Sequence, residues 1–138
     1  MKSVLLYIAD DGGLEARLQA ALDLTRSLGG HLHCLHANPY NAQLAVAGVT
    51  GISVMADIRE MSRELSSELR DKIEKRLADE DVSWDYREEN TEPSRGLSKN
   101  SALVDLIVLS SAGGQKDAAM PLGILGDVLF NATAPILV

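Results

Sequence analysis

Two groups of residues in this chain are placed to do chemistry. The first follows the uninterrupted apolar run Leu106-Ile107-Val108-Leu109, where Ser110-Ser111-Ala112-Gly113-Gly114 removes side-chain bulk. Residues this small let a ligand approach the backbone, whose free N–H groups can point at an anion. Gly123 stands ten residues beyond Gly113 and opens the apolar stretch Ile124–Phe130. Phosphate binding is the chemistry such a loop offers. A tight strand-to-helix turn needs the same glycines for backbone geometry alone, and the glycines by themselves do not choose between the two.

The second group is His31, His33, Cys34 and His36, which by residue type resembles a metal cluster. On a strand, however, His31 and His33 point to one face, and Cys34 and His36 to the other. No single face is expected to gather three ligands and no fourth is evident, so no metal site is expected. Cys34, inside an apolar run, reads as packing rather than as a nucleophile, because burial raises a thiol's pKa. No Ser–His–Asp or paired-carboxylate arrangement has a supporting context, so no catalytic residue is assigned. Met55 and Met61 read as core fillers or dimer contacts.

The elements that must position these residues alternate in kind. Val4–Ala9 is unbroken apolar, as a strand covered on both faces requires. Asp10-Asp11-Gly12-Gly13 is a turn with helix-start chemistry; Leu14, Leu18, Ala21, Leu22, Thr25 and Leu28 then share a helical face that Gly29-Gly30 ends. His31–Ala37 is the second strand. Tyr40–Ser53 has no clean period and is not expected to form one regular element. From about Val54 to Asp79 a long helix is expected, with Ile58, Met61, Leu65, Leu69, Ile73 and Leu77 on one face and charges of both signs on the others. Val82–Arg87 alternates with period two, as an edge strand does, with Val82, Trp84 and Tyr86 inward. A weaker helix from Pro93 through Leu103 leads to Leu106–Leu109, and Pro135–Val138 closes as a short strand.

Strands alternating with helices imply an α/β fold: a five-stranded parallel doubly wound sheet with helices on both faces. In such sheets the ligand crevice lies beyond the carboxyl ends of the strands, where strand order switches direction. The first and fourth strands are the expected neighbours there.

At 138 residues the chain is expected to be one domain, 1–138, with a substantial core. Its net charge of −7 argues against nucleic acid and anionic lipid as partners. A lone cysteine excludes a disulfide framework and fits a reducing compartment. No signal peptide is evident; Val4–Ala9 is far short of the roughly 20 residues of a membrane span, so no membrane partner is expected.

In its first strand, in LEARLQAALDLTRSLGGHLHCLHA, in the long second helix, in DLIVLSSAGG and in the closing APILV, the sequence resembles the universal stress protein family over nearly its whole length. The resemblance implies an adenine nucleotide alpha hydrolase-like, Rossmann-like fold and a cytoplasmic protein. Nucleotide-binding members carry Gly, two residues, Gly, nine residues, Gly, then Ser or Thr, which fall here on Ser110, Gly113, Gly123 and Ile124. The first glycine is thus a serine and the final hydroxyl residue an isoleucine. Losing one charge-assisted hydrogen bond of about 1.5–3 kcal/mol would weaken binding roughly ten- to a hundredfold. Such members also resemble one another in an aspartate near the adenosine; a gapless reading places Ala9 there, and a one-residue shift Asp10. Asp127, Asp10 and Asp11 add negative charge, against which only Lys116 is expected to stand.

The resemblance implies a stress-response binding or interaction module with a degenerate nucleotide motif, not catalytic itself. The alternative it implies is an ATP- or AMP-binding member using Asp10, Gly113, Gly114 and Gly123, with Ile124 beside them. It also implies a homodimer through the strand Pro135–Val138, or a second tandem domain packing in the same way. A flavin or electron-transfer protein on this sheet order is disfavoured, because the loops offer no aromatic pair to flank a ring.

Overall fold

The computed structural model describes residues 2–38, 52–110 and 122–138. Five strands form one parallel sheet: β1 (Ser3–Tyr7), β2 (His31–Ala37), β3 (Ser83–Glu89), β4 (Leu106–Val108) and β5 (Ile136–Leu137), in the order β3-β2-β1-β4-β5. Between them run α1 (Leu14–Leu28), α2 (Ile52–Ala78), α3 (Pro93–Ser101) and α4 (Leu122–Asn131). Tyr40–Gly51, the greater part of the aperiodic stretch, lies outside the described residues, as do Gly113 and Gly114; Ile52 and Ser53 begin α2.

The unbroken apolar run of β1 follows from its central place. Val4, Leu6 and Ile8 meet Leu32, Cys34 and Val108 under α1 and α2, which contribute Leu14, Leu18, Leu22, Leu69, Ile73 and Leu77. Leu5 and Tyr7 face the other way and meet Leu35, Ile107, Leu109, Leu97 of α3 and Val128 of α4. Alternate residues of one strand therefore feed two cores, and both need apolar side chains. On the edge strand β3 only one face does so: Trp84 and Tyr86, with Val82 just before the strand, pack half-buried against the α1–α2 core, as their alternation predicts.

The long helix departs from its expected stripe. Leu69, Ile73 and Leu77 are buried, but Met61 and Leu65, on the same helical face, are about three-fifths exposed at 62% and 60%. The helix therefore overhangs the sheet, and periodicity alone does not say where the partner surface ends.

At the end of α1, Gly29 takes a left-handed φ of 60°, and the Gly30 N–H returns to the Thr25 carbonyl at 3.0 Å. The chain then enters β2 with the His31 N–H on the Lys2 carbonyl at 2.8 Å. That same carbonyl would collide with any Cβ on Gly30. Gly30→Ala is therefore expected to cost roughly 1–3 kcal/mol of stability, the usual penalty for overpacking, read from the urea unfolding midpoint.

Candidate functional site

The sheet order turns back at β1: the chain runs to β2 and β3 on one side and returns to β4 and β5 on the other. The β1–β4 gap is therefore the switch point at which a crevice belongs. The described residues beyond these two strands form a closed polar network around Arg17.

Its construction is local. After β1, Asp11 Oδ1 accepts the Gly13 N–H at 2.7 Å, forming the turn that launches α1. Arg17 lies on the same helical face as Leu14, Leu18 and Ala21, so it is carried inward under the strand ends. Its Nε donates to the Tyr7 carbonyl at 2.8 Å. Nη1 donates to Asp11 Oδ1 at 3.2 Å and to Ser110 Oγ at 2.6 Å. Nη2 donates to Asp11 Oδ2 at 2.9 Å and to the Ala9 carbonyl at 3.2 Å. A guanidinium has five N–H donors in a rigid fork, and these bonds account for all of them. The Arg17 side chain is 0% exposed and that of Asp11 5%. A buried charge survives only when paired and fully hydrogen-bonded, and here both conditions hold.

The chemical consequence is specific. The cation at the switch point is neutralised by Asp11 and has no donor left over for a phosphate. Lys116, expected to be the sole offset to the acidic groups, lies outside the described residues; among those described, Arg17 holds Asp11, and Lys72 Nζ approaches Asp10 Oδ1 at 3.4 Å. The Lys72–Asp10 pair is solvent-exposed and worth little by itself. Arg17 also lies 5.6 Å from the centre of the Tyr7 ring. Burial raises the Tyr7 hydroxyl above the ordinary tyrosine range, with the Arg17 charge opposing the shift and that of Asp11 adding to it.

Beside this network, on the β1–β2 side, a cleft of about 540 Å³ opens between the strand ends and α2. Ala9, Asp10, His36, Asn38, Leu65 and Lys72 are among its lining residues. Asn38 fixes its back wall, donating through Nδ2 to Ser62 Oγ at 2.9 Å and Ser66 Oγ at 3.1 Å on α2. The His36 Nδ1 lies 3.0 Å from the Ile8 carbonyl, which can only accept, so the proton sits on Nδ1. The volume is in the range of small-molecule sites.

The structure distributes the expected site residues unevenly. Asp10 lines the cleft mouth. Gly123 and Ile124 are the second and third residues of α4, and Gly113 and Gly114 lie outside the described residues. Cys34 is 1% exposed, and burial above all, with the Asp85 charge adding to it, pushes its thiol up to about 12. It packs as a small apolar group. Sequence reasoning missed Arg17. The signal was a charged residue three positions after Leu14 and one before Leu18, inside the apolar stripe of α1, where only a paired charge fits. The expectation that no strand face gathers three metal ligands is also corrected: Asp85 of β3 joins His31 and His33 on theirs. Same-strand alternation cannot reveal a ligand supplied by a neighbouring strand.

Among the described residues no helix is long and apolar enough to cross a membrane. No protein-family model matches the chain, and no curated protein matches its sequence. Solved structures do match its shape. A universal stress protein UspA from Lactobacillus plantarum superposes with a TM-score of 0.77 at 12% identity, over 99% of this chain and 95% of that one. A universal stress protein from Archaeoglobus fulgidus in complex with dAMP gives 0.57 at 14%, over 99% and 96%. A universal stress protein in complex with cAMP gives 0.55 at 12%, over 99% and 94%. At such identities the likeness is one of architecture, and the five-stranded parallel sheet described above, wrapped by helices on both faces, is the universal stress protein fold.

Proposed function

We propose that this chain is a universal stress protein domain, residues 1–138, that acts by binding rather than by catalysis and whose triphosphate seat has been given over to an internal ion pair. The observation that carries the reading is the saturated Arg17 network across the ends of β1 and β4. A nucleotide's phosphates at this switch point would face a guanidinium already committed to Asp11 and Ser110. Freeing it would leave a buried carboxylate unpaired, at a cost of several kcal/mol that phosphate contacts would first have to offset. The isoleucine at position 124, where binding members carry a hydroxyl, points the same way.

A second reading rests on the cleft. Its volume and the place of Asp10 at its mouth favour an adenine nucleotide, ATP or AMP, held with Gly113, Gly114 and Gly123; two structural neighbours were solved in complex with dAMP and cAMP. Thermal unfolding with and without ATP and magnesium separates the two. A ligand at a hundred times its dissociation constant adds about 2.7 kcal/mol of stability. The first reading predicts no rise in the unfolding midpoint at millimolar ATP or AMP; a saturable rise of several degrees with either would replace it by the second.

On this reading the protein works in the cytoplasm, in the stress response, and pairs with a second copy or a tandem domain through β5. Leu137 and Val138 stand exposed at 41% and 55% at this sheet edge, and an unpaired apolar edge favours strand addition.

A further inference from the structure

We infer that His31, His33 and Asp85 form a binding site for a divalent transition-metal ion of the zinc class, on the sheet face opposite α1 and α2. The site owes nothing to the cleft or to Arg17. His31 and His33 project from the same face of β2, and the β2–β3 register sets Asp85 directly across from His33. Each of the three brings one ligating atom within 4.8 Å of the other two. His33 Nδ1 stands 2.9 Å from Asp85 Oδ1, and His31 Nε2 stands 3.9 Å from Asp85 Oδ2. Zinc–nitrogen and zinc–oxygen bonds of about 2.0–2.1 Å in a tetrahedron put ligand atoms roughly 3.3 Å apart. The short pair must open by a few tenths of an ångström and the widest must close by about 1.5 Å, within reach of side-chain rotation. An ion seated between His33 and Asp85 takes the Nδ1 lone pair of the neutral His33 ring, whose single proton then sits on Nε2, so the exchange releases no net proton.

Two further features favour an ion over a plain hydrogen-bonded cluster. Ser83 Oγ lies 2.6 Å from His31 Nδ1, which fixes that ring and leaves Nε2 turned toward Asp85. This is the outer contact that metal-bound histidines characteristically make. The imidazoles lie 4.6 Å apart between centroids, close enough to chelate one ion together. The side chains are only partly covered, at 24%, 25% and 39% exposure, so an ion has an entry path and keeps water in the remaining position. Two nitrogens and a carboxylate select zinc, copper(II), nickel or cobalt over magnesium and calcium, which prefer oxygen alone.

The test uses tag-free protein stripped with chelator and titrated with Zn²⁺ alone by calorimetry, then with Co²⁺ followed by visible absorption. The expected result is one saturating ion per chain, with cobalt bands of a nitrogen–oxygen site and no thiolate charge-transfer band. His31→Gln and Asp85→Asn should each weaken Zn²⁺ binding by more than about tenfold, and Ser83→Ala by about tenfold, while keeping the cobalt spectrum. His36→Gln, which alters the one histidine outside the cluster, should leave affinity unchanged. Unfolding midpoints measured in chelator confirm that each variant is folded. The proposal is overturned by absence of saturable binding, by binding that survives His31→Gln, by loss of binding with His36→Gln, or by a thiolate band from Cys34.

Discussion

Arg17→Met should lower the stability of the folded chain by about 3–5 kcal/mol, the usual cost of breaking a buried ion pair from one side. Methionine keeps most of the buried volume, so the loss reports the missing donors rather than a cavity. What it strands is an Asp11 carboxylate with 5% exposure, together with the carbonyls of Tyr7 and Ala9 and the Ser110 hydroxyl. Arg17→Lys should fall between wild type and Arg17→Met, since an ammonium supplies three donors from one point and cannot reproduce the planar fork. Adding Asp11→Leu to Arg17→Met should recover part of the loss, because no unpaired charge then remains. Urea unfolding of the four proteins reads these differences directly. A loss under about 1 kcal/mol for Arg17→Met would mean that the network is slack, and that Arg17 is free to turn toward a ligand.

Ile73→Ala should cost about 2–5 kcal/mol, whereas Met61→Ala and Leu65→Ala should each stay within about 0.5 kcal/mol of wild type. All three positions lie on one apolar stripe of α2, and only the packing distinguishes them. Ile73 is 1% exposed beneath Leu18, Leu22 and Cys34 in the same core, while Met61 and Leu65 stand beyond the sheet. Equal losses at Ile73 and Met61 in the same unfolding assay would show that the overhanging half of α2 is covered in solution.

These positions also show what the sequence could and could not carry. Each strand was legible because β1 and β4 must be apolar on both faces and β3 on one, a constraint written in consecutive residues. Glycine after Leu28 marked the end of α1, and the left-handed Gly29 is the physical reason. The exposure of Met61 was not legible, because a helical stripe records which side is apolar and not how far the opposing surface reaches. Arg17 escaped for a related reason: its partners Asp11 and Ser110 lie six and ninety-three residues away along the chain. The His31–His33–Asp85 cluster was hidden likewise, its third member arriving only through the register between β2 and β3. Pairings of this kind come from topology, and periodicity within one element is blind to them.

On the proposed reading, an internal ion pair fills the place where a nucleotide's phosphates would lie. The most direct test is a crystal structure of the protein grown with millimolar ATP and magnesium, inspected beside Ser110. Arg17 should remain bonded to Asp11, Ser110 and the two strand carbonyls, with no ordered triphosphate in hydrogen-bonding reach. Phosphate oxygens held by Arg17, or by the amides that follow Ser110, would contradict it.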